Sequence, residues 1–339
     1  MNVLICDDSG FARKQLARAL PADWHVNLHQ AADGLEGVEQ ILMGHGDLIF
    51  LDLTMPQMDG YGVLETLQRE GLRNKVIVVS GDIQPEAYQR VMALGALDFI
   101  KKPAAPETLR ALLRQHGLWQ TATPAALAAA PDLSPSPLQS VISFTPELRD
   151  VYQELANVAM GQAADLLARL LDAFVLLPIP NVNVLEVSEL HMALSAAAES
   201  DTLSAVCQGF IGAGIAGEAL LLFHDASFQD LARLMNHQGE LDHNAELELL
   251  MDTANVLIGA FLRGYANQLD TPFSQGHPVV LGQHRSIQDL IQTNQSRWRR
   301  TLAIEINYRI QGHAVQCDLL LLFTEDSIAT MNNKIMHML

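Results

Sequence analysis

From its first residues the chain alternates short apolar runs with longer amphipathic stretches. Val3–Cys6, Leu48–Leu51 and Val76–Val79 are almost uninterruptedly hydrophobic, as strands buried on both faces of a parallel sheet require. The stretches between them read as helices, and the alternation over residues 1–119 predicts a doubly wound, five-stranded α/β domain. The pattern stops at residues 121–140, TATPAALAAAPDLSPSPLQS, where 15 of 20 positions are Ala, Pro, Ser or Thr. Its four prolines forbid a continuous helix and little in it could form a core, so residues 120–145 are expected to be a linker. Thr145-Pro146-Glu147 then supplies an N-cap, a proline at the first helical position and an early acid, and a long helical period begins.

Beyond the linker the pattern occurs twice. Asp150, Glu154, Asn157, Gly161 and Pro180 are repeated as Glu248, Asp252, Asn255, Gly259 and Pro278, each 98 residues on. On a helix the first four positions of each set fall within about 60° of one another, forming one polar stripe. Leu148, Val151, Leu155, Leu166 and Leu170 lie roughly opposite, as an amphipathic helix demands. Leu220–Phe223 with Ser227 is echoed by Leu320–Phe323 with Ser327, and strand-like runs at Val182–Val187, Val206–Ile211 and Leu302–Ile310 lie between. Residues 146–339 therefore predict a pseudo-two-fold, duplicated α/β domain, with repeats near 146–240 and 244–339. Its two long helices are expected to face outward.

Composition narrows the partners. The formal net charge is −18, and no basic run exceeds Lys101-Lys102. Residues 1–119 hold 15 acids and 11 bases, the remainder 24 acids and 10 bases. Neither nucleic acid nor an anionic membrane is an expected partner, because phosphate contacts need clustered Lys and Arg. No apolar run of about 18 residues suggests a membrane span, and no signal-peptide pattern opens the chain, so a cytoplasmic location is expected. Cys6, Cys207 and Cys317 are far apart and read as reduced, buried thiols.

In a doubly wound sheet, functional groups collect where the strands end. Here those ends carry Asp7-Asp8, Asp52, Ser80 and, after Phe99-Ile100, Lys102-Pro103. Three carboxylates at one edge repel one another unless a hard cation sits among them, and oxygen ligands suit Mg²⁺. A carboxylate beside such an ion can attack a phosphoryl group, with a hydroxyl and a lysine binding the phosphoryl oxygens.

Asp7-Asp8-Ser9, Leu51-Asp52-Leu53-Thr54-Met55-Pro56 with Asp59-Gly60, Val79-Ser80-Gly81 and Lys102-Pro103 make residues 1–119 resemble a two-component receiver domain of the CheY type. The resemblance implies that Asp52 accepts a phosphoryl group from a histidine kinase. It also implies that Asp7, Asp8, Asp52 and the Thr54 carbonyl hold Mg²⁺, with Ser80, Phe99 and Lys102 as the switch residues. Residues 146–339 resemble the CheC/CheX/FliY phosphatases, whose pattern is Asp or Ser, three residues, Glu, two residues, Asn, twenty-two residues, Pro. Asp150, Glu154, Asn157 and Pro180 meet it. By this resemblance Asn157 and Asn255 would orient the attacking water, while Glu154 and Asp252 would pair with a receiver's lysine. The second copy departs from the pattern: Asp252 stands where Glu is expected, withdrawing its carboxylate by roughly 1.3–1.5 Å. The first helix is therefore expected to dominate.

Two functions are compatible with these resemblances. One is a response regulator whose output domain hydrolyses the aspartyl phosphate of CheY-type receivers in chemotaxis or related two-component signalling, under control of its own Asp52. The other is a non-catalytic adaptor that binds CheD or assembles like flagellar-switch proteins. The linker does not force the two domains together, so a separate phosphorylated CheY-type receiver is the expected substrate.

Overall fold

The computed structural model describes residues 1–119, 144–185, 202–285 and 301–336. The expected linker lies almost wholly outside them. Residues 2–119 form a five-stranded parallel sheet of order β2-β1-β3-β4-β5, comprising β1 (Asn2–Cys6), β2 (Asn27–Ala31), β3 (Leu48–Leu51), β4 (Lys75–Ser80) and β5 (Asp98–Lys101). Five helices cover its two faces: α1 (Gly10–Ala19), α2 (Gly34–Leu42), α3 (Gly60–Arg69), α4 (Pro85–Ala93) and α5 (Pro106–Gln115). Because the sheet is covered on both sides, it carries two apolar clusters, one with Leu4, Ile49 and Val78 and the other with Val3, Ile5 and Phe50.

The second unit begins with α6 (Pro146–Leu171), capped by the Thr145 hydroxyl, which accepts from the Leu148 N–H. The strands β6 (Val175–Leu176), β7 (Asn181–Leu185), β8 (Leu203–Gly212) and β9 (Ile215–His224) follow, then the short helix α7 (Phe228–Leu234). The same order recurs as α8 (His243–Gln268), β10 (Ser274–Gln275), β11 (Val279–Arg285), β12 (Thr301–Ile310), β13 (Gln316–Thr324) and α9 (Glu325–Met336). The strands make one antiparallel sheet, β10-β8-β9-β13-β12-β6, with β7 also on β12 and β11 also on β8. Each half thus lends its first two strands to the other half. At the centre Leu220 pairs with its counterpart Leu320, and Leu221–Leu319 is mirrored by Ala219–Leu321. That register is what a two-fold axis through the sheet requires.

The helices α6 and α8 pack on one face of this sheet. They approach closely where Gly264 meets Ala159: a Cβ at Gly264 would lie 3.1 Å from the Ala159 Cα. Tyr152 of α6 donates its buried hydroxyl to Asn332 Oδ1 of α9 at 2.6 Å. Tyr152→Phe leaves that acceptor unpaired and is expected to cost about 1–2 kcal/mol, measured by denaturant unfolding.

Two expectations need correction. Leu166 and Leu170 are 42% and 39% exposed, because the face buried at this end of α6 is that of Leu167 and Leu171, each 1% exposed and about 100° round the helix from them. More consequentially, α6 does not face outward: the five-stranded domain sits on its polar stripe.

Candidate functional site

The site is built where the carboxyl ends of β1, β3, β4 and β5 meet α6. The β1 strand delivers Asp7 and Asp8, β3 delivers Asp52, β4 ends at Ser80, and Lys102 follows β5. One oxygen from each of Asp7, Asp8 and Asp52 lies within 4.8 Å of the others. Lys102 Nζ stands 2.7 Å from Asp7 Oδ2 and 3.4 Å from Asp52 Oδ2. From the other side, Glu154 of α6 places Oε1 at 3.2 Å from the same ammonium. Asp7, Asp52 and Glu154 therefore share one lysine, with Asp8 beside them. Ser80 is buried, its Oγ accepting from the Asp82 N–H at 3.1 Å. Phe99 is half-buried and meets Tyr88 edge to face.

The electrostatics follow from burial and this imbalance. Asp52 is 1% exposed, and neither of its oxygens has a hydrogen-bonding partner. Its 3.4 Å contact with Lys102 is an ion pair without hydrogen-bond geometry. Burial first, and then Asp7, Glu154 and Asp8, hold the Asp52 carboxyl well above the usual range against the pull of Lys102. Burial likewise lifts Asp8 to about 6 and Glu154 to about 7, with Asp7 adding to both. Burial alone would push Lys102 down, but Asp52, Asp7 and Glu154 raise it well above its ordinary value. An oxygen-only set with an orphaned, buried carboxylate fits a hard divalent cation.

Glu154 and Asn157 are each 6% exposed, one turn apart on α6. Between α6 and the loops of the five-stranded domain lies a cavity of about 10 Å³, lined by Asp8, Ser9, Thr54, Glu154, Asn157 and Pro180 among others. It offers room for about one water molecule beside several polar groups. Pro180, far from Asn157 in sequence, thus reaches the same cavity. Gly161 permits the approach, because a Cβ there would collide with the Gly81 carbonyl oxygen. Asp150 accepts from the Phe11 N–H at 2.8 Å, across the first turn of α1.

The second stripe differs. Glu248, Asp252 and Asn255 are exposed on α8, and the nearest atom to a Cβ at Gly259 would be Gln275 Oε1, 3.9 Å away. The structure therefore does not bring Asp252 and Asn255 to the cluster that Glu154 and Asn157 reach.

Several contacts at this junction are not foreshadowed by the motifs. Phe11 is 4% exposed and belongs to the apolar cluster of the second unit, not of its own sheet. A signal for it exists in the sequence: it lies five residues, about 140° on a helix, from the core-facing Leu16. Gln84 makes a two-way amide pair with Val175, donating at 2.8 Å and accepting at 2.9 Å. Although Gln84 occupies the N-cap position of α4, its side chain makes no cap bond there.

Asp82 Oδ1 accepts from both the Gln84 backbone N–H and its side-chain amide, yet burial, helped by Asp165 of α6, raises its pKa to about 6. The docked, folded form consequently keeps a proton that the unfolded chain releases near the ordinary value of 3.8. This contribution is full below about pH 4 and is lost as pH rises through 6. Asp82→Asn keeps the acceptor and removes the titration. It should raise stability at pH 7 by on the order of 2 kcal/mol and flatten the difference between pH 4 and 6, read from thermal melts of both chains.

Comparison with known proteins agrees with the first unit. The response regulator receiver domain profile matches residues 3–114. The chemotaxis protein CheY of Treponema pallidum is 37% identical over 104 residues, covering 30% of this chain and 72% of that protein. A protein-glutamate methylesterase/protein-glutamine glutaminase of Symbiobacterium thermophilum is 35% identical over 144 residues, 40% of this chain. The chain spans about 40% of the length of that enzyme. The crystal structure of Thermotoga maritima FliY is 17% identical, covers 58% of this chain and all of that one, and has a TM-score of 0.44. Among the described residues, no helix is long and apolar enough to cross a membrane. With its acidic cluster, its buried lysine and a CheY relative aligned over most of that relative's length, the chain belongs to the response regulator receiver family.

Proposed function

We propose that this response regulator carries a C-terminal phosphatase that hydrolyses receiver aspartyl phosphate, with Asn157 and Glu154 as its principal working residues. The observation that carries the reading is the placement of α6. Glu154 meets the receiver's buried lysine at 3.2 Å, while Asn157 borders a water-sized cavity next to Asp8 and Thr54. Asp52 would accept the phosphoryl group from a histidine kinase, with Ser80 and Lys102 binding its oxygens and Phe99 sensing the change. Asp7, Asp8, Asp52 and the Thr54 carbonyl would hold Mg²⁺, which supplies positive charge to the phosphoryl oxygens.

The remaining work falls to α6. The Asn157 amide can donate one hydrogen bond and accept another, so it can fix a water for in-line attack. Glu154 neutralises part of the Lys102 charge and sets the approach of the helix. Water oxygen bonds to phosphorus as the bond to the Asp52 carboxylate breaks. The products are a free carboxylate and dihydrogen phosphate, which carries both protons of the water. The exposed Asp252 and Asn255 of α8 would present the corresponding groups to a separate CheY-type receiver.

A non-catalytic clamp would need Glu154 and Gly161 but has no use for an amide at a water-sized cavity. The two readings part on one experiment. Inorganic phosphate release is followed from the phosphorylated chain and from an added phosphorylated CheY-type receiver, in wild type and in Asn157→Ala combined with Asn255→Ala. Faster release by wild type than by the double variant, on either substrate, supports the phosphatase; equal rates in the two chains on both substrates refute it.

A further inference from the structure

We propose that the substrate of α6 is the receiver of the same chain, and that docking on α6 also shuts Asp52 to its phosphodonor, so the two events alternate. This rests on the phosphatase reading and adds the identity and timing of its substrate.

The contacts are those of a formed interface, and they extend well beyond the reacting groups. Phe11 inserts into the second unit's core, Gln84 pairs in both directions with Val175, and Asp150 accepts from the Phe11 N–H. Gly81 and Gly161 bring two backbones together, and a Cβ at Gly161 would collide with the Gly81 carbonyl oxygen. None of these residues is needed for chemistry, yet together they fix α6 over the acidic cluster. Separated, the receiver would expose a phenylalanine that is now 4% exposed. Only 24 residues, 120–143, join the two described units, and a tether of that length gives an effective concentration on the order of millimolar. An independent receiver would have to exceed that to claim α6. The expectation that a separate receiver is the main substrate is therefore replaced, for this helix, by a tethered one.

The same geometry controls entry. Asp52 is 1% exposed and Lys102 3% exposed with α6 in place. A phosphohistidine of a kinase must bring its phosphorus to the Asp52 carboxylate, over the surface that Glu154 and Asn157 occupy. The docked chain can lose a phosphoryl group to a small water but cannot receive one from a protein. Undocking admits the donor, and redocking starts hydrolysis. The lifetime of the signal is then set inside the chain.

The test uses full-length chains phosphorylated on Asp52 by acetyl phosphate, with decay followed after the donor is removed. Decay in wild type is expected to be unchanged by fifty-fold dilution. Asn157→Ala should slow it at least about tenfold, and adding an excess of Asp52→Asn chain, whose α6 is intact, should not restore it. Gly161→Val, which drives the backbones apart, should slow decay similarly and accept phosphate from a histidine kinase faster than wild type. Asp150→Ala, which removes the contact to Phe11 without crowding α6, should shift both rates in the same directions. Restoration of decay by the Asp52→Asn chain in proportion to its concentration would overturn the proposal in favour of action between copies. So would slower kinase phosphorylation of Gly161→Val. If Asn157→Ala slows phosphate loss only from an added CheY-type receiver, the tethered substrate is wrong while the phosphatase stands. If it slows neither, the tethered substrate is again wrong, and the phosphatase reading falls as well only if Asn157→Ala combined with Asn255→Ala also slows neither.

Discussion

Asp52→Asn is expected to abolish incorporation of acid-labile phosphate from acetyl phosphate. Among the described residues Asp52 belongs to the only cluster of three or more potential metal-ligating side chains, and it alone of that cluster has both carboxylate oxygens buried without a hydrogen-bonding partner. Asp7 is engaged by Lys102 at 2.7 Å and by the Ser9 N–H at 2.9 Å. Asp52, at 3.4 Å from the same lysine, accepts no hydrogen bond, which suits the nucleophilic part proposed for it. The amide removes the nucleophile but nearly preserves the shape. It also deletes one of the negative charges crowded around Lys102, so the folded chain should be no less stable than wild type. Phosphate labelling measured alongside a thermal melt checks both halves. Labelling of Asp52→Asn to wild-type stoichiometry would remove Asp52 from its assigned role.

The second large effect is a contrast between two asparagines. Asn157→Ala is expected to lengthen the lifetime of Asp52 phosphate by about tenfold to a hundredfold, the scale on which misplacing an attacking group acts. Asn255→Ala should leave that lifetime unchanged, because Asn255 is exposed on α8 whereas Asn157 is buried against the receiver. Sequence offers a weaker reason for the same ranking, the shorter carboxylate of Asp252. The structural reason is stronger: the stripe of α6 has a receiver against it, and that of α8 is open. Asp252→Glu should consequently have no effect on Asp52 decay, although it could improve turnover of a separate receiver at α8. Decay of Asp52 phosphate that slows equally in the two alanine variants would place both helices on one substrate, contrary to this geometry.

Much of this architecture is legible in the amino-acid sequence. Parallel strands show themselves in Val3–Cys6, Leu48–Leu51 and Val76–Val79, because a strand buried on both faces has no polar alternation to conceal it. The convergence of Asp7, Asp8, Asp52, Ser80 and Lys102 follows once those strands are parallel, since all end on one edge. The repeat of Asp150, Glu154 and Asn157 at Glu248, Asp252 and Asn255 reveals the paired helices. It cannot reveal their different fates. Both stripes read as solvent-facing because a polar residue buried against another domain looks, in sequence, like one facing water. What distinguishes them lies elsewhere in the chain: Phe11, off phase with Leu16, and Gln84, diverted from capping α4. Leu166 and Leu170 depart from expectation for a related reason. Periodicity assigns one face to the whole helix, whereas in the last turns of α6 the buried face is that of Leu167 and Leu171.

In the proposed reaction α6 directs water to the phosphorus of Asp52 phosphate. Its most direct test is a single turnover of the phosphorylated full-length chain in H₂¹⁸O, comparing wild type with Asn157→Ala. Attack at phosphorus leaves one ¹⁸O in the released phosphate and none in Asp52. The predicted result is ¹⁸O-labelled phosphate in both chains, released at least about tenfold faster by wild type. Equal rates in the two chains, or ¹⁸O found in the Asp52 carboxylate, would rule out attack at phosphorus by a water that Asn157 positions.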